Sequence, residues 1–232
     1  MEFSEWEKYY SQILLDFGYD RAKDEESAGV LAELTTGKNL GGVEDLKPLL
    51  VGKEVYVFGD GPSLKDTVER YTFEGTLIAA NGATSTLLAK GIVPNIIVTD
   101  LDGKVEDQVA ASEKGALVII LAHGDNIPAL NEWVPKFTGK IIATSQSDPV
   151  RHLLNFGGFT DGDRGVFLAD HFGAKHIILV GFDFGSDRGQ PQPEDYEDDI
   201  DLSDKGRVKM RKLTWANVLI AMLDNPAIAF FR

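Results

Sequence analysis

The chain has no cysteine among its 232 residues, which excludes disulfides, iron–sulfur clusters and thiolate zinc sites. Histidine is scarce, with four scattered residues, so a histidine-built metal centre is not expected. A bound metal would take oxygen ligands, as Mg2+ or Mn2+ does. Basic residues are in deficit, 23 against 37 acidic ones, for a formal net charge of −14. Duplex nucleic acid and anionic membrane surfaces would be repelled over a Debye length, and an anionic small ligand must meet a locally positive pocket. Long hydrophobic runs are missing too: the longest are strand-sized, short of the roughly 18 residues that span a bilayer. The opening MEFSEWEKYY is acidic and amphipathic, unlike a signal peptide. A cytoplasmic protein with small-molecule partners, neither nucleic acid nor membrane, is expected; a homo-oligomer is compatible with the sequence.

What is present is an ordinary globular composition, 43% hydrophobic and 26% charged, enough for a sizeable core. Phe3, Trp6, Tyr10, Ile13, Leu14 and Phe17 recur at helical spacing, and a second helical segment runs from about Lys23 to Leu34. Residues 1–50 therefore read as a helical N-terminal appendage. Gly41, Gly42 and Pro48 punctuate the chain before the first strand at Glu54, and residues 51–232 read as an α/β nucleotide-binding domain.

Within that domain, apolar runs ending in small polar residues recur: VYVFGDGPS, LIAANGATS, NIIVTDLDG, LVIILAHGDN, IIATSQSD and IILVGFDFGSD. Helical intervals such as Leu64 to Tyr71, Thr84 to Lys90 and Val105 to Lys114 separate them. This rhythm predicts an open, mostly parallel sheet of about six strands flanked by helices, its unbroken strands VIIL and IILV buried on both faces. All six strands then empty onto one rim, where open α/β sheets bind ligands. A helix is expected near Asp161 and another from about Asp204 to Leu223. Between the last strand and that closing helix, residues 190–204 carry seven acidic residues and two prolines and read as a surface loop and candidate lid.

The run ending in Asp100 and Asp102 is the most informative. In an extended chain residues i and i+2 point the same way, roughly 7 Å apart, so both carboxylates can serve one Mg2+, which water and phosphate oxygens complete; the structural alternative is a helix cap at Asp102 and an ion pair at Asp100. Gly59 and Gly61, with Ser63, suit a loop whose amides approach a phosphate, or a tight turn capped by Ser63. Asn81 is a candidate contact to a base or ribose. Asp125 is a third acidic candidate beside His123, itself either structural or catalytic. Thr160 with Asp163 fits a capping box, which leaves Asn155, the pair Gly157 and Gly158, and Arg164 unexplained. A phosphate contact would offset the unfavourable placing of Arg164 in the first turn of a helix. Lys209 and Lys212 belong to a basic run, Lys205 to Lys212, that either reaches a polyphosphate or balances the acidic loop. Phe156, Phe159 and Phe182 suit stacking on a flat heterocycle or a place in the core.

Taken in order, GDGPSL, ANGAT, PNIIVTDLDG, HGDN, NFGGFTDGDR, GAKHIILVGFDFG and KMRKL resemble the archaeal 6-hydroxymethyl-7,8-dihydropterin pyrophosphokinase family, from about Glu54 to Leu223. The strand-end carboxylates are more distantly similar to those of thiamine pyrophosphokinases, and the related domain also occurs in glycosyltransferase-like proteins using nucleotide sugars. The closer resemblance implies ATP-dependent pyrophosphoryl transfer to a reduced pterin with release of AMP, in tetrahydromethanopterin or folate synthesis, with Mg2+. It implies motif residues at Asp100, Asp102, Asn155, Asp161, Asp163 and Arg164. On this basis Asp161 joins Asp100 and Asp102 as a metal ligand, Asn155 joins the nucleotide contacts, and Asp163 and Arg164 are catalytic candidates; Asp125, from its place after a strand, is the further candidate to take the hydroxyl proton.

Overall fold

The computed structural model of the protein describes residues 3–184 and 204–231. Of the expected lid over residues 190–204, residues 190–203 lie outside the described residues, as do the side chains of Asp204 and Lys205. Helices α1 (Phe3–Phe17), α2 (Arg21–Leu34) and α3 (Val43–Leu50) precede β1 (Glu54–Phe58). Then follow α4 (Leu64–Arg70), β2 (Thr76–Ala80), α5 (Ala83–Ala89), β3 (Ile96–Thr99), α6 (Val105–Glu113), β4 (Leu117–Ala122), α7 (Ile127–Trp133) and β5 (Ile141–Ser145). The chain continues through α8 (Asp161–His171) and β6 (His176–Val180) to α9 (Asp204–Met222) and β7 (Ile228–Phe230). The strands form one sheet in the order β5-β4-β3-β2-β1-β6-β7, and every pairing is parallel.

The expected α/β sheet is present with one strand more than the apolar runs announce. β7 is three residues long and partly exposed at the sheet edge, too short for its alternation to register as a pattern. β2, β3, β4 and β5 are buried at every residue, which is why they read as unbroken runs. The segment of Gly42 and Pro48 holds a helix, α3, because Leu46 and Leu50 are fully buried and the Asp45 carboxylate accepts the Gly42 amide at 2.9 Å.

Strand alternation sorts the core into two faces. Val55, Val57, Ile78, Ile96, Val98 and Ile119 pack under α3, α8 and α9. On the reverse face Phe58, Leu77 and Ala79 meet α4 and α5, while Ile97, Val118 and Ile120 meet α2, α6 and α7. α8 lies close on the sheet because Gly165 has no side chain: a Cβ there would stand 3.0 Å from Val57 and 3.2 Å from Ile78. α8 is buried on its outer side as well, under α1, where Trp6 meets the Phe167 ring edge-on at 6.3 Å and joins Tyr10, Ile13 and Leu219 in one cluster. Thus α1, α2 and α3 all share buried clusters with the α/β body. No helix among the described residues is long and apolar enough to cross a membrane.

The chain steps from β1 out to β5 and returns through α8 to β6 on the other side of β1. β1 and β6 are therefore neighbours whose onward connections lead to opposite sides, to β2 and to β7, a topological switch point. The loops meet at backbone contact: Gly59 N donates to Val180 O at 2.8 Å and Gly61 N to Gly181 O at 3.0 Å. A Cβ on Gly61 would lie 2.5 Å from Gly181 O, and one on Gly181, at φ +70°, would lie 2.5 Å from Gly59 O.

Candidate active site

A cavity of about 530 Å³ opens over the carboxyl ends of the strands, within the range of small-molecule sites. The β1 and β6 loops wall one end, and the loops after β4 and β5, with the start of α2, wall the other. The N-terminal turn of α8 and one side of α9 form the roof.

Asp100 and Asp102 stand in the middle, brought together otherwise than by an extended strand. β3 ends at Thr99, and Leu101 takes a left-handed φ of +66° while its own side chain is buried. The Leu101 amide donates to Thr99 Oγ1 at 2.9 Å, and Asn126 Nδ2 donates to the Asp100 carbonyl at 2.9 Å. Both carboxylates turn to Asn81, whose Nδ2 donates to Asp100 Oδ1 at 3.2 Å and, in a shorter bond, to Asp102 Oδ1. The Asn81 oxygen is held by Gln108 Nε2 at 2.8 Å. Asn81, expected to touch a base or ribose, has its carboxamide occupied in aligning the two acids.

Asp161, the first residue of α8, completes the cluster. Its Oδ1 is sealed from solvent and has no hydrogen-bond partner. Burial, then the charges of Asp100 and Asp102, push its pKa well above the carboxylate range, against the opposing pull of Arg164. Burial and the Asp100 charge likewise raise Asp102. Burial acts upward on Asp100 too, but the hydrogen bond and charge of His123, whose Nε2 lies 3.4 Å from Asp100 Oδ2, hold it below its ordinary value. An unpartnered oxygen among three mutually repelling acids is a setting a hard cation fits. Among the described residues, however, no three His, Cys, Asp or Glu side chains form a group that could hold a metal ion by themselves.

The remaining expected residues divide. Lys209 and Lys212 line the cavity from α9; Lys212 Nζ lies 5.8 Å from the centre of the Phe159 ring, and its charge lowers the pKa of both Asp100 and Asp102. Asp125 lines the cavity from the loop after β4 and is exposed. Gly59 and Gly61 line it as well, but the amides expected to cradle a phosphate are the two already bonded to β6 and its loop. Ser63 is not among the lining residues: its amide and hydroxyl donate to Asp183 at 2.8 and 2.7 Å, and it does not cap α4 with its side chain.

Three expectations need correction. Asp163 is not presented for chemistry: it is fully buried and accepts the Phe159 and Thr160 amides at 2.6 and 2.7 Å, capping its own helix. Arg164 does not reach into the cavity for a phosphate. It lies 4% exposed on the inner side of α8, donating to Gly158 O at 3.1 Å and Thr144 Oγ1 at 3.2 Å, where its charge compensates Asp161 and the buried Asp163. Asn155 is a loop brace, bonded to Ser147 O at 3.0 Å and to the Gly157 amide at 2.8 Å. Phe156 belongs to the core, whereas Phe159 and Phe182 line the cavity.

Sequence reading passed over Asp24, Gln146 and Asp183, which also line it. Asp183 was within reach, since it follows β6 in the motif VGFDFG. Asp24 was not: it sits in the N-terminal helical segment, and nothing local says that α2 delivers it to the far end of the sheet.

The family described as 6-hydroxymethylpterin diphosphokinase MptE-like matches residues 30–189. A 6-hydroxymethyl-7,8-dihydropterin pyrophosphokinase of Methanothermobacter thermautotrophicus is 43% identical over 227 residues, 97% of this chain and 96% of the relative. The enzyme of that name from Pyrococcus furiosus is 41% identical over 97% of this chain and 95% of its own length. That of Methanocaldococcus jannaschii is 38% identical over the full length of both. Among solved structures, the MAf glycosyltransferase from Magnetospirillum magneticum AMB-1 matches with a TM-score of 0.40 and 18% identity, over 65% of this chain and 27% of that one, too distant to bear on function. With a family match across most of its length and relatives aligned nearly end to end, the chain belongs to the 6-hydroxymethylpterin diphosphokinase MptE-like family.

Proposed function

We propose that the protein transfers the pyrophosphoryl group of ATP to the hydroxymethyl group of 6-hydroxymethyl-7,8-dihydropterin, yielding the pterin diphosphate and AMP, in the cytoplasm and toward a tetrahydromethanopterin or folate cofactor. The observation that carries this reading is the meeting of Asp100, Asp102 and Asp161 midway along a cavity that is roofed by Lys209 and Lys212. Asp100, Asp102 and Asp161 would hold Mg2+, which supplies charge neutralisation for the polyphosphate while phosphate and water oxygens complete its shell.

The chain's own groups do the rest. The acceptor hydroxyl oxygen bonds to the β-phosphorus in line as the bond from that phosphorus to the departing AMP oxygen breaks. Lys212 and Lys209 face the negative charge carried by the phosphates, and Asn81 keeps the carboxylates in register. Asp125, exposed at the cavity wall, takes the hydroxyl proton. Positioning and electrostatics account for most of such a rate enhancement.

Incubation with Mg2+-ATP and the reduced pterin, with thiamine as a parallel acceptor, tests the reading by product analysis. Pterin-dependent AMP and a pterin diphosphate are expected. AMP released only with thiamine, or with neither acceptor, would overturn it in favour of a thiamine enzyme or of nucleotide-sugar chemistry.

A further inference from the structure

The carboxylates lie at the end of β3, with β2 and β1 on one side and β4 and β5 on the other. At roughly 4.8 Å per strand, each side offers about 10 Å of cavity, room for one heterocycle. The side toward β1 and β6 is the switch point, lined by glycine backbone and Phe182. The side toward β5 is different: it is lined by Asp24 and Gln146, which are 4% and 5% exposed.

Asp24 accepts from Tyr10 Oη at 2.6 Å and Gln146 Nε2 at 2.9 Å through Oδ2, and from the Gly124 amide at 2.7 Å through Oδ1. All three partners are neutral donors. A carboxylate has about four lone-pair sites, so one remains on Oδ1. Aromatic rings flank this end: Tyr19 and Phe159 line the cavity, linked through Phe17, which lies 5.1 Å from Tyr19 and 5.4 Å from Phe159 between ring centres.

We propose that this lobe binds the 2-amino-4-oxo-pyrimidine ring of the acceptor, its two adjacent N–H donors accepted by Asp24 Oδ1 and the Gln146 carboxamide oxygen, while the nucleotide occupies the β1–β6 lobe. The assignment rests on the pyrophosphokinase reading and adds which end takes which substrate. The recognition is selective by chemistry. A reduced pterin offers two donors side by side, whereas adenine sets a ring-nitrogen acceptor beside its amino group, and that lone pair would face the Asp24 carboxylate. Acceptors left unmatched at a buried polar pair are costly, so discrimination is strong.

Binding of the fluorescent oxidised analogue 6-hydroxymethylpterin and of Mg2+ α,β-methylene-ATP, each titrated separately, tests the assignment. Asp24→Asn is expected to weaken the pterin about tenfold or more and the nucleotide less than about twofold. Should Asp24→Asn not fold, Gln146→Met reads the same edge and is expected to weaken the pterin alone. Unchanged pterin affinity in the folded variant, or equal weakening of both ligands, would overturn the lobe assignment. A wild-type protein that binds the nucleotide but no pterin would overturn the pyrophosphokinase reading itself.

Discussion

Asn81 holds φ +44°, with its carboxamide oxygen turned to Gln108 and its NH2 to Asp100 and Asp102. The orientation depends on Gln108, because a donor at the oxygen is what keeps the NH2 toward the acids. Gln108 is 1% exposed and does not line the cavity, so Gln108→Met, similar in shape, should leave the fold intact. Mn2+ affinity, followed by paramagnetic resonance, is expected to fall several-fold as the Asn81 amide loses its anchor; unchanged affinity would remove the relay. Asp161 makes the opposite trade. Replacing it with Asn removes one of three mutually repelling acids, so Asp161→Asn should melt no lower than wild type without metal and gain less from added Mg2+, a difference scanning calorimetry resolves. The acids themselves were legible, since two sit at i, i+2 after an apolar run. Their geometry was not: the left-handed turn at Leu101 lies in no pattern of residue types. Asp163 and Arg164 misled for a related reason, because charged residues in the first turn of a buried helix can serve the helix as readily as a ligand.

At the scale of elements, the six main strands begin within a residue or so of where apolar runs begin, because four of them, β2 to β5, are buried on both faces and the apolar residues of β1 and β6 are continuous. β7 and α3 left none. One is three residues long, and the other contains Pro48, which normally argues against a helix interior. The glycines after β1 were marked as functional, and they matter, though through the fold: they let two loops cross in backbone contact at the switch point. Gly61→Ala would set a methyl group 2.4 Å from Asp183 Oδ2 and 2.5 Å from Gly181 O. It is expected to cost about 1–3 kcal/mol in urea unfolding. Gly52→Ala, with nothing within 4 Å but a φ of +66°, should cost about 1 kcal/mol from backbone strain alone.

Across the whole molecule, an excess of acid coexists with a cavity that two lysines line. The formal charge is −14, yet α9 points Lys209 and Lys212 into the cavity, opposite the acids that would hold a cation. The N-terminal helices are tied to the same site: Trp6 donates to the Gln146 carbonyl at 2.8 Å, and Tyr10 and Asp24 connect α1 and α2 to the loops after β4 and β5. The contacts of Trp6 and Asp24 with those loops span a hundred residues or more of sequence, and no local pattern encodes them. The rim of strand ends was visible in the sequence; the partition of that rim into two lobes about a carboxylate centre was not. The most direct test of that centre is the turnover of Asp100→Asn and of Asp102→Asn at saturating ATP and pterin, with unfolding curves showing that both variants fold. A fall of about a hundredfold or more in kcat for each is predicted. Near-normal turnover in both would contradict the account.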